Sequence, residues 1–119
     1  MAAFSVEIKA SAFGRQATVF ALGGHLDAVT VSQLEGRFKE TMEAGQYHWV
    51  VDLSQLDYIS SAGLGAFIGV LEEVRSHGGD IFFVGLSPKL QKIFQVLGFL
   101  RIFRIFAAEE EAVREFGLP

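Results

Sequence analysis

The sequence predicts one α/β domain: a mixed, mostly parallel sheet of about five strands with four helices, opening with an antiparallel hairpin. Three observations carry that expectation. Short apolar runs alternate with segments whose apolar residues recur at three- and four-residue steps. Glycines and helix-capping residues punctuate the junctions between them. Half of the 119 residues are hydrophobic, including 12 Phe, which is enough for one packed core in a chain of single-domain length, residues 1–119.

Phe4, Val6 and Ile8 alternate with polar residues, as in a half-buried strand. Ser11-Ala12-Phe13-Gly14 reads as a turn, and Ala17 to Leu22 as a second strand that Gly23-Gly24 breaks. Val31, Leu34, Phe38 and Met42 define an amphipathic helix, with Thr30 and Gln33 as a capping box and Gly45 as its stop. His48 to Leu53 is the central strand, which the chain leaves at Asp52-Leu53-Ser54. Leu64, Phe67, Leu71 and Val74 form the stripe of a second helix, ending near His77-Gly78-Gly79. Ile81 to Val84 is another buried strand. Ser87 caps a third helix with Pro88 in its first turn, Leu90, Ile93, Phe94 and Leu97 as its stripe, and Gly98 as its end. A short strand covers Ile102 to Phe106. Glu109, Glu110 and Glu111 load the first turn of a last helix, whose Ala112, Val113 and Phe116 pack inward. Strands alternating with helices imply parallel pairing through right-handed crossovers.

Composition excludes several classes of function. Net charge is −4, from 10 Lys and Arg against 14 Asp and Glu, and no basic cluster argues for nucleic acid. There is no Cys, hence no disulfide and no thiolate metal site. His25, His48 and His77 fall in three separate segments, so no metal-ligand spacing arises. Met1 to Glu7 has neither a basic flank nor an apolar core of signal length, and no apolar run is long enough to cross a bilayer. A cytoplasmic protein without membrane insertion is expected. Gly63, Gly65 and Gly69 do not make a dinucleotide fingerprint, because Ile68 holds the third place and Gly69 comes one late. No phosphate loop exists either. The three glycines read as close helix-to-sheet packing, and no cofactor is expected. The apolar run Phe99 to Phe106 reads as a core strand with some rings left exposed. No Ser-His-Asp set or acid–base carboxylate pair supports catalysis, so the chain is not read as an enzyme.

The chemistry-bearing stretch is Trp49 to Gly69. Tyr58-Ile59 closes a strand-like segment, Ser60 and Ser61 follow at once, and a glycine-punctuated helix begins at Ala62. A serine pair at such a junction sits where backbone N–H groups point outward and the helix dipole is positive, which suits a bound or covalently attached phosphate. The plain structural reading of Ser61 is a helix cap, and of Asp27 and Thr30 a cap and a capping box.

The run D-L-S-x-L-x-Y-I-S-S-A-G-L, from Asp52 to Leu64, resembles the signature of the STAS domain, the module of sulphate transporters and anti-sigma factor antagonists. Gly24 to Thr30 resembles the family's G-x-L-D-x-x-T segment, and Ser87-Pro88 through Gly98-Phe99 its third helix and glycine stop. The resemblance covers nearly the whole chain and implies the STAS-like fold. It implies that Ser61 is the phosphorylation site and that the Asp27 loop lies beside it, with Asp27, Thr30, Ser60, Ser61, Gly63 and Leu64 forming the partner surface. Ala62 stands where many relatives have a second Ser or Thr. Ser60 replaces the Asp of several relatives and is a candidate minor acceptor. The implied function is that of a bacterial anti-sigma factor antagonist. It binds an anti-sigma factor that is also a serine kinase, releases a sigma factor, is switched off by phosphorylation at Ser61, and is restored by a phosphatase. The alternatives are a STAS scaffold or accessory subunit in a stress-sensing or lipid-transport complex and, in another class, a small nucleotide-binding enzyme.

Overall fold

The computed structural model describes residues 3–119; Met1 and Ala2, part of the stretch read for targeting signals, lie outside it. Along the chain come β1 (Ser5–Ser11), β2 (Gly14–Leu26), α1 (Val31–Glu43), β3 (His48–Ile59), α2 (Ser61–Ser76), β4 (Asp80–Val84) and α3 (Pro88–Val96). A 3-10 turn at Phe99–Arg101, β5 (Arg104–Phe106) and α4 (Glu109–Phe116) complete it. The strands form one sheet in the order β1-β2-β3-β4-β5, antiparallel between β1 and β2 and parallel thereafter. The expected mixed sheet with an opening hairpin and four helices is therefore the observed one.

The sheet has two unequal faces. The larger core joins Phe20, Leu22, Trp49, Val51, Leu53 and Phe83 of the sheet to Leu34 and Phe38 of α1, Leu64 and Phe67 of α2, and Leu90 and Phe94 of α3. Aromatic rings knit it together: Phe38 stacks on Trp49 at 5.1 Å, and Phe67, Phe94 and Phe103 meet Phe83 edge-on at 5.0–5.2 Å. The opposite face is covered by α4, whose Ala112 and Val113 pack on Ala17, Val19, Val50, Phe82 and Val84.

Two strands run further than the sequence predicts. Gly23-Gly24 does not break β2, and Asp52-Leu53-Ser54 does not end β3. Their parallel ladder continues to the pair Leu26–Ile59 because β3 takes in an extra residue at two places, between its pairings at Asp52 and Gln55 and between those at Leu56 and Tyr58. These bulges replace alternation by a three-residue step, so Leu53, Leu56 and Ile59 all reach the core. Gly24 serves the bulged region rather than a turn. Its φ is +80°, and a Cβ there would collide with the carbonyl of Ala3.

Smaller corrections lie at the other end of the chain. Residues Phe99–Arg101 form a 3-10 turn and β5 starts at Arg104, two residues later than expected. In α3, Leu90 and Phe94 are buried and Ile93 is half-buried, but Leu97 caps the helix and is exposed. The third-helix cap is as expected, with Ser87 Oγ accepting from the Leu90 N–H at 3.2 Å and Pro88 at the first helical position.

Candidate functional site

β2 and β3 are parallel neighbours, so the loops after them emerge side by side. The tie between them is direct: the Ser60 N–H donates to the Leu26 carbonyl at 2.9 Å. The first loop leads into α1 and carries Asp27 and Thr30. The second is the junction into α2 and carries Ser60 and Ser61.

In the first loop the polar groups serve the backbone. Asp27 Oδ1 accepts from the N–H groups of Val29 at 2.9 Å and Thr30 at 3.2 Å. The Asp27 carbonyl accepts from the Val31 N–H at 2.9 Å. Thr30 Oγ1 accepts from the Asp27 N–H at 3.0 Å and donates to the His25 carbonyl at 2.9 Å. The expected capping box is absent: Thr30 is the residue before α1 but has helical φ and ψ, and its side chain does not cap. Asp27 and Thr30 instead bond each other reciprocally, the side-chain oxygen of each accepting from the N–H of the other. Asp27 and Thr30 are half-buried, whereas Val29 between them is 86% exposed.

At the second junction the labour is divided differently. Ser60 is the cap of α2, with extended backbone at φ −93° and ψ 172° and Oγ accepting from the Gly63 N–H at 3.3 Å. Ser61, read from sequence as the cap, is instead the first helical residue. It is exposed, and its hydroxyl enters none of the side-chain hydrogen bonds of the described residues. The first turn of α2 holds no acidic residue. Ser61 Oγ therefore stands free beside unpaired backbone N–H groups at the positive end of a 16-residue helix.

Gly63 and Leu64 contribute from beneath. Leu64 is fully buried, and Gly63 is buried where a Cβ would come within 2.8 Å of Leu26 Cγ and 3.1 Å of Ile59 Cγ1. Glycine here lets the first turn of α2 settle onto the ends of β2 and β3. The same explanation fails for Gly65 and Gly69, where a Cβ would meet nothing within 4 Å. They lie with Ser61, Ala62 and Ile68 on the exposed side of α2, giving it a low-relief face.

Tyr58 belongs to the same end of the molecule and was not singled out by sequence reasoning. It is 40% exposed, its ring lies 6.1 Å from that of His25, and Lys89 Nζ sits 5.8 Å from its centre. Nothing in the sequence pairs Lys89 with Tyr58; only the fold brings α3 over the end of β3. The other histidines are elsewhere, His77 stacked on Tyr47 at 4.0 Å and His48 edge-on to Phe116. Among the described residues no three His, Cys, Asp or Glu side chains gather as metal ligands, and no helix is long and apolar enough to cross a membrane.

Comparison with known proteins bears on this arrangement. The STAS domain model matches residues 7–112. BtrV of Bordetella bronchiseptica, which carries the name of an anti-sigma factor antagonist, is 34% identical over 95 residues, 80% of this chain and 82% of that one. In fold, the chain is similar to the crystal structure of an anti-sigma factor antagonist from Mycobacterium paratuberculosis, with a TM-score of 0.84 over 98% of this chain and 96% of that one, at 18% identity. It is also similar to the Bacillus cell fate determinant SpoIIAA in its phosphorylated form, with a TM-score of 0.66, 26% identity, and coverage of 95% and 98%.

Proposed function

The chain belongs to the STAS domain family, and from that premise we propose that it is a cytoplasmic, single-domain anti-sigma factor antagonist switched by phosphorylation of Ser61. One observation carries the choice of residue. Of the two adjacent serines, Ser60 is engaged as the helix cap and Ser61 is exposed and unengaged. The names of the relatives support the regulatory class, and the phosphorylated form of SpoIIAA supports the modification.

In this reading the domain is a binding module and a substrate. Its unphosphorylated form docks on a serine-kinase anti-sigma factor through Ser61, the exposed side of α2 and the Asp27–Thr30 loop, and a sigma factor is released. The kinase transfers the γ-phosphoryl group of ATP to Ser61 Oγ, ADP leaves, and the hydroxyl proton passes to a base of the kinase. The product keeps its fold, because a dianion at the first position of α2 faces unpaired N–H groups and the positive end of the dipole. Binding suffers instead: a bulky anion now occupies the start of α2, whose first turn held no acidic residue. A penalty of about 3 kcal/mol lowers affinity more than a hundredfold. A phosphatase restores the binder. Ser60 is the lesser acceptor, since its hydroxyl is half-buried and engaged with the Gly63 N–H, and Gly63 and Leu64 act by holding the junction in place.

The test is incubation with the partner kinase and ATP, read by intact mass and peptide mapping. One phosphate on Ser61 is expected. Label confined to Ser60 or Thr30 contradicts the assignment.

A further inference from the structure

The cations of this chain are unevenly placed. Between Asp80 and Glu109 the sequence holds Lys89, Lys92, Arg101 and Arg104 and neither Asp nor Glu. The rest of the chain carries −8, from six Lys and Arg against all 14 Asp and Glu. In the fold this acid-free segment is β4 after its first residue, α3, the 3-10 turn and β5, and its four cations are exposed. Arg104 is paired with Glu115 at 2.8 Å, whereas Lys89, Lys92 and Arg101 enter none of the ion pairs of the described residues.

The same segment carries exposed aliphatic side chains: Val96 at 70%, Leu97 at 48%, Leu100 at 47% and Ile102 at 38%. Single exposed apolar residues are ordinary, but four within seven residues form a patch. The surface is also concave. An open groove of about 730 Å³ runs between α3 and β5, with Leu86, Leu100, Ile105 and Phe106 along it and Gln91 and Lys92 on its α3 side. A shallower hollow of about 270 Å³, lined by Lys92, Ile93, Val96 and Leu97, lies around the helix, so Lys92 stands at both.

We infer that this face docks an acidic amphipathic helix of a partner protein. Charge selects the sign: Lys92, which enters none of the ion pairs of the described residues, stands at both hollows, and no Asp or Glu lines either of them. Shape selects the class, because a helix inserts a ridge of side chains into a groove and a bilayer surface does not. A second copy of this chain fits poorly. A two-fold pairing of this face on itself brings together two copies of a segment that carries four cations and no carboxylate. A head-to-tail pairing needs an acidic helix with an apolar side to spare, and the most acidic helix, α4, has Ala112 and Val113 packed on its own sheet. The nine residues of α3 span about 13 Å, the length of roughly two to three turns of a partner helix. The groove is lined from α3, β5 and the segment after β4, and none of Asp27, Thr30, Ser60 and Ser61 is among its residues, so it shares no side chain with the Ser61 junction.

Titrate the full chain into a fluorescein-labelled 14-residue peptide with Leu at helical i, i+3, i+4 and i+7 positions and Glu elsewhere, and follow anisotropy. Saturable binding is expected, weakened at least tenfold by the double variant Lys92→Glu/Arg101→Glu and by Leu100→Asp, with melting temperatures as the folding control. Lys9→Glu, on the opposite edge strand β1, should bind this peptide as the parent does. The same peptide with Lys in place of Glu should not bind. Equal binding of both peptides, binding indifferent to the groove variants, or no binding overturns the inference. Sedimentation with phosphatidylglycerol vesicles in the absence of peptide binding overturns it in favour of a lipid surface.

Discussion

Two helix entrances stand side by side at the ends of β2 and β3, and they treat their polar side chains in opposite ways. Before α1, Asp27 and Thr30 spend their oxygens on local N–H and carbonyl groups. Before α2, Ser60 takes the capping role alone and Ser61 is left with an idle hydroxyl. A polar residue bonded into its own loop is evidence about folding. An exposed one with no internal task, placed where an anion is favoured, is evidence about chemistry. The comparison separates the Asp27 loop, which shapes a surface, from Ser61, which changes it.

The contrast can be broken at its foundation first. Gly63→Val should have the largest effect on stability, about 1–3 kcal/mol and several degrees of melting temperature, because its side chain collides with buried Leu26 and Ile59. Gly65→Ala, two residues on and facing open space, should instead raise stability by about 0.5–1 kcal/mol through helix propensity. Thermal melts of the pair check both signs; equal shifts would mean that Gly63 is not a packing glycine.

Next comes the committed loop. Asp27→Ala removes the acceptor for two N–H groups and should cost about 1 kcal/mol, within the usual range of 0.5–2. Asp27→Asn keeps an oxygen at that place and should cost less. If Asp27→Asn weakens binding of the kinase per folded molecule, the carboxylate has a role beyond capping; if only the melt changes, it has none.

The smallest effects on stability should distinguish the neighbouring serines. Ser60→Ala loses the cap of α2, about 1 kcal/mol, whereas Ser61→Ala loses no internal hydrogen bond and should melt within a few tenths of a kcal/mol of the parent. Chemical denaturation resolves that difference, and the reverse order would reassign the cap to Ser61.

Much of this was legible in the sequence. The order of elements, the stripe of α2, the Ser87-Pro88 start and the glycine ends of the helices follow from periodicity and capping chemistry, which are local. The misses arise where tertiary pairing overrides local signals. Gly23-Gly24 looks like a stop and is continuous strand opposite the bulges of β3, because β3 continues alongside and supplies the pairing. Leu53, Leu56 and Ile59 break alternation for the same reason. In the site, the serine pair and the Asp27 loop could be singled out, but which serine caps could not. Ser60 and Ser61 are chemically identical, and only the helix's first residue decides between them. The exposure of Val29 and Tyr58 was not legible, since it is a property of the assembled end of the sheet.

The claim that Ser61 is the switch is tested most directly by the affinity of Ser61→Ala and Ser61→Asp for the same serine-kinase anti-sigma factor at matched salt. Both variants should fold, the first because nothing internal is lost and the second because a carboxylate suits the positive end of a helix. Ser61→Ala should bind like the unphosphorylated parent. Ser61→Asp should bind at least tenfold more weakly, though less weakly than the phosphoprotein, having less charge and bulk. Equal affinities of two well-folded variants would place Ser61 outside the docking surface and contradict the account.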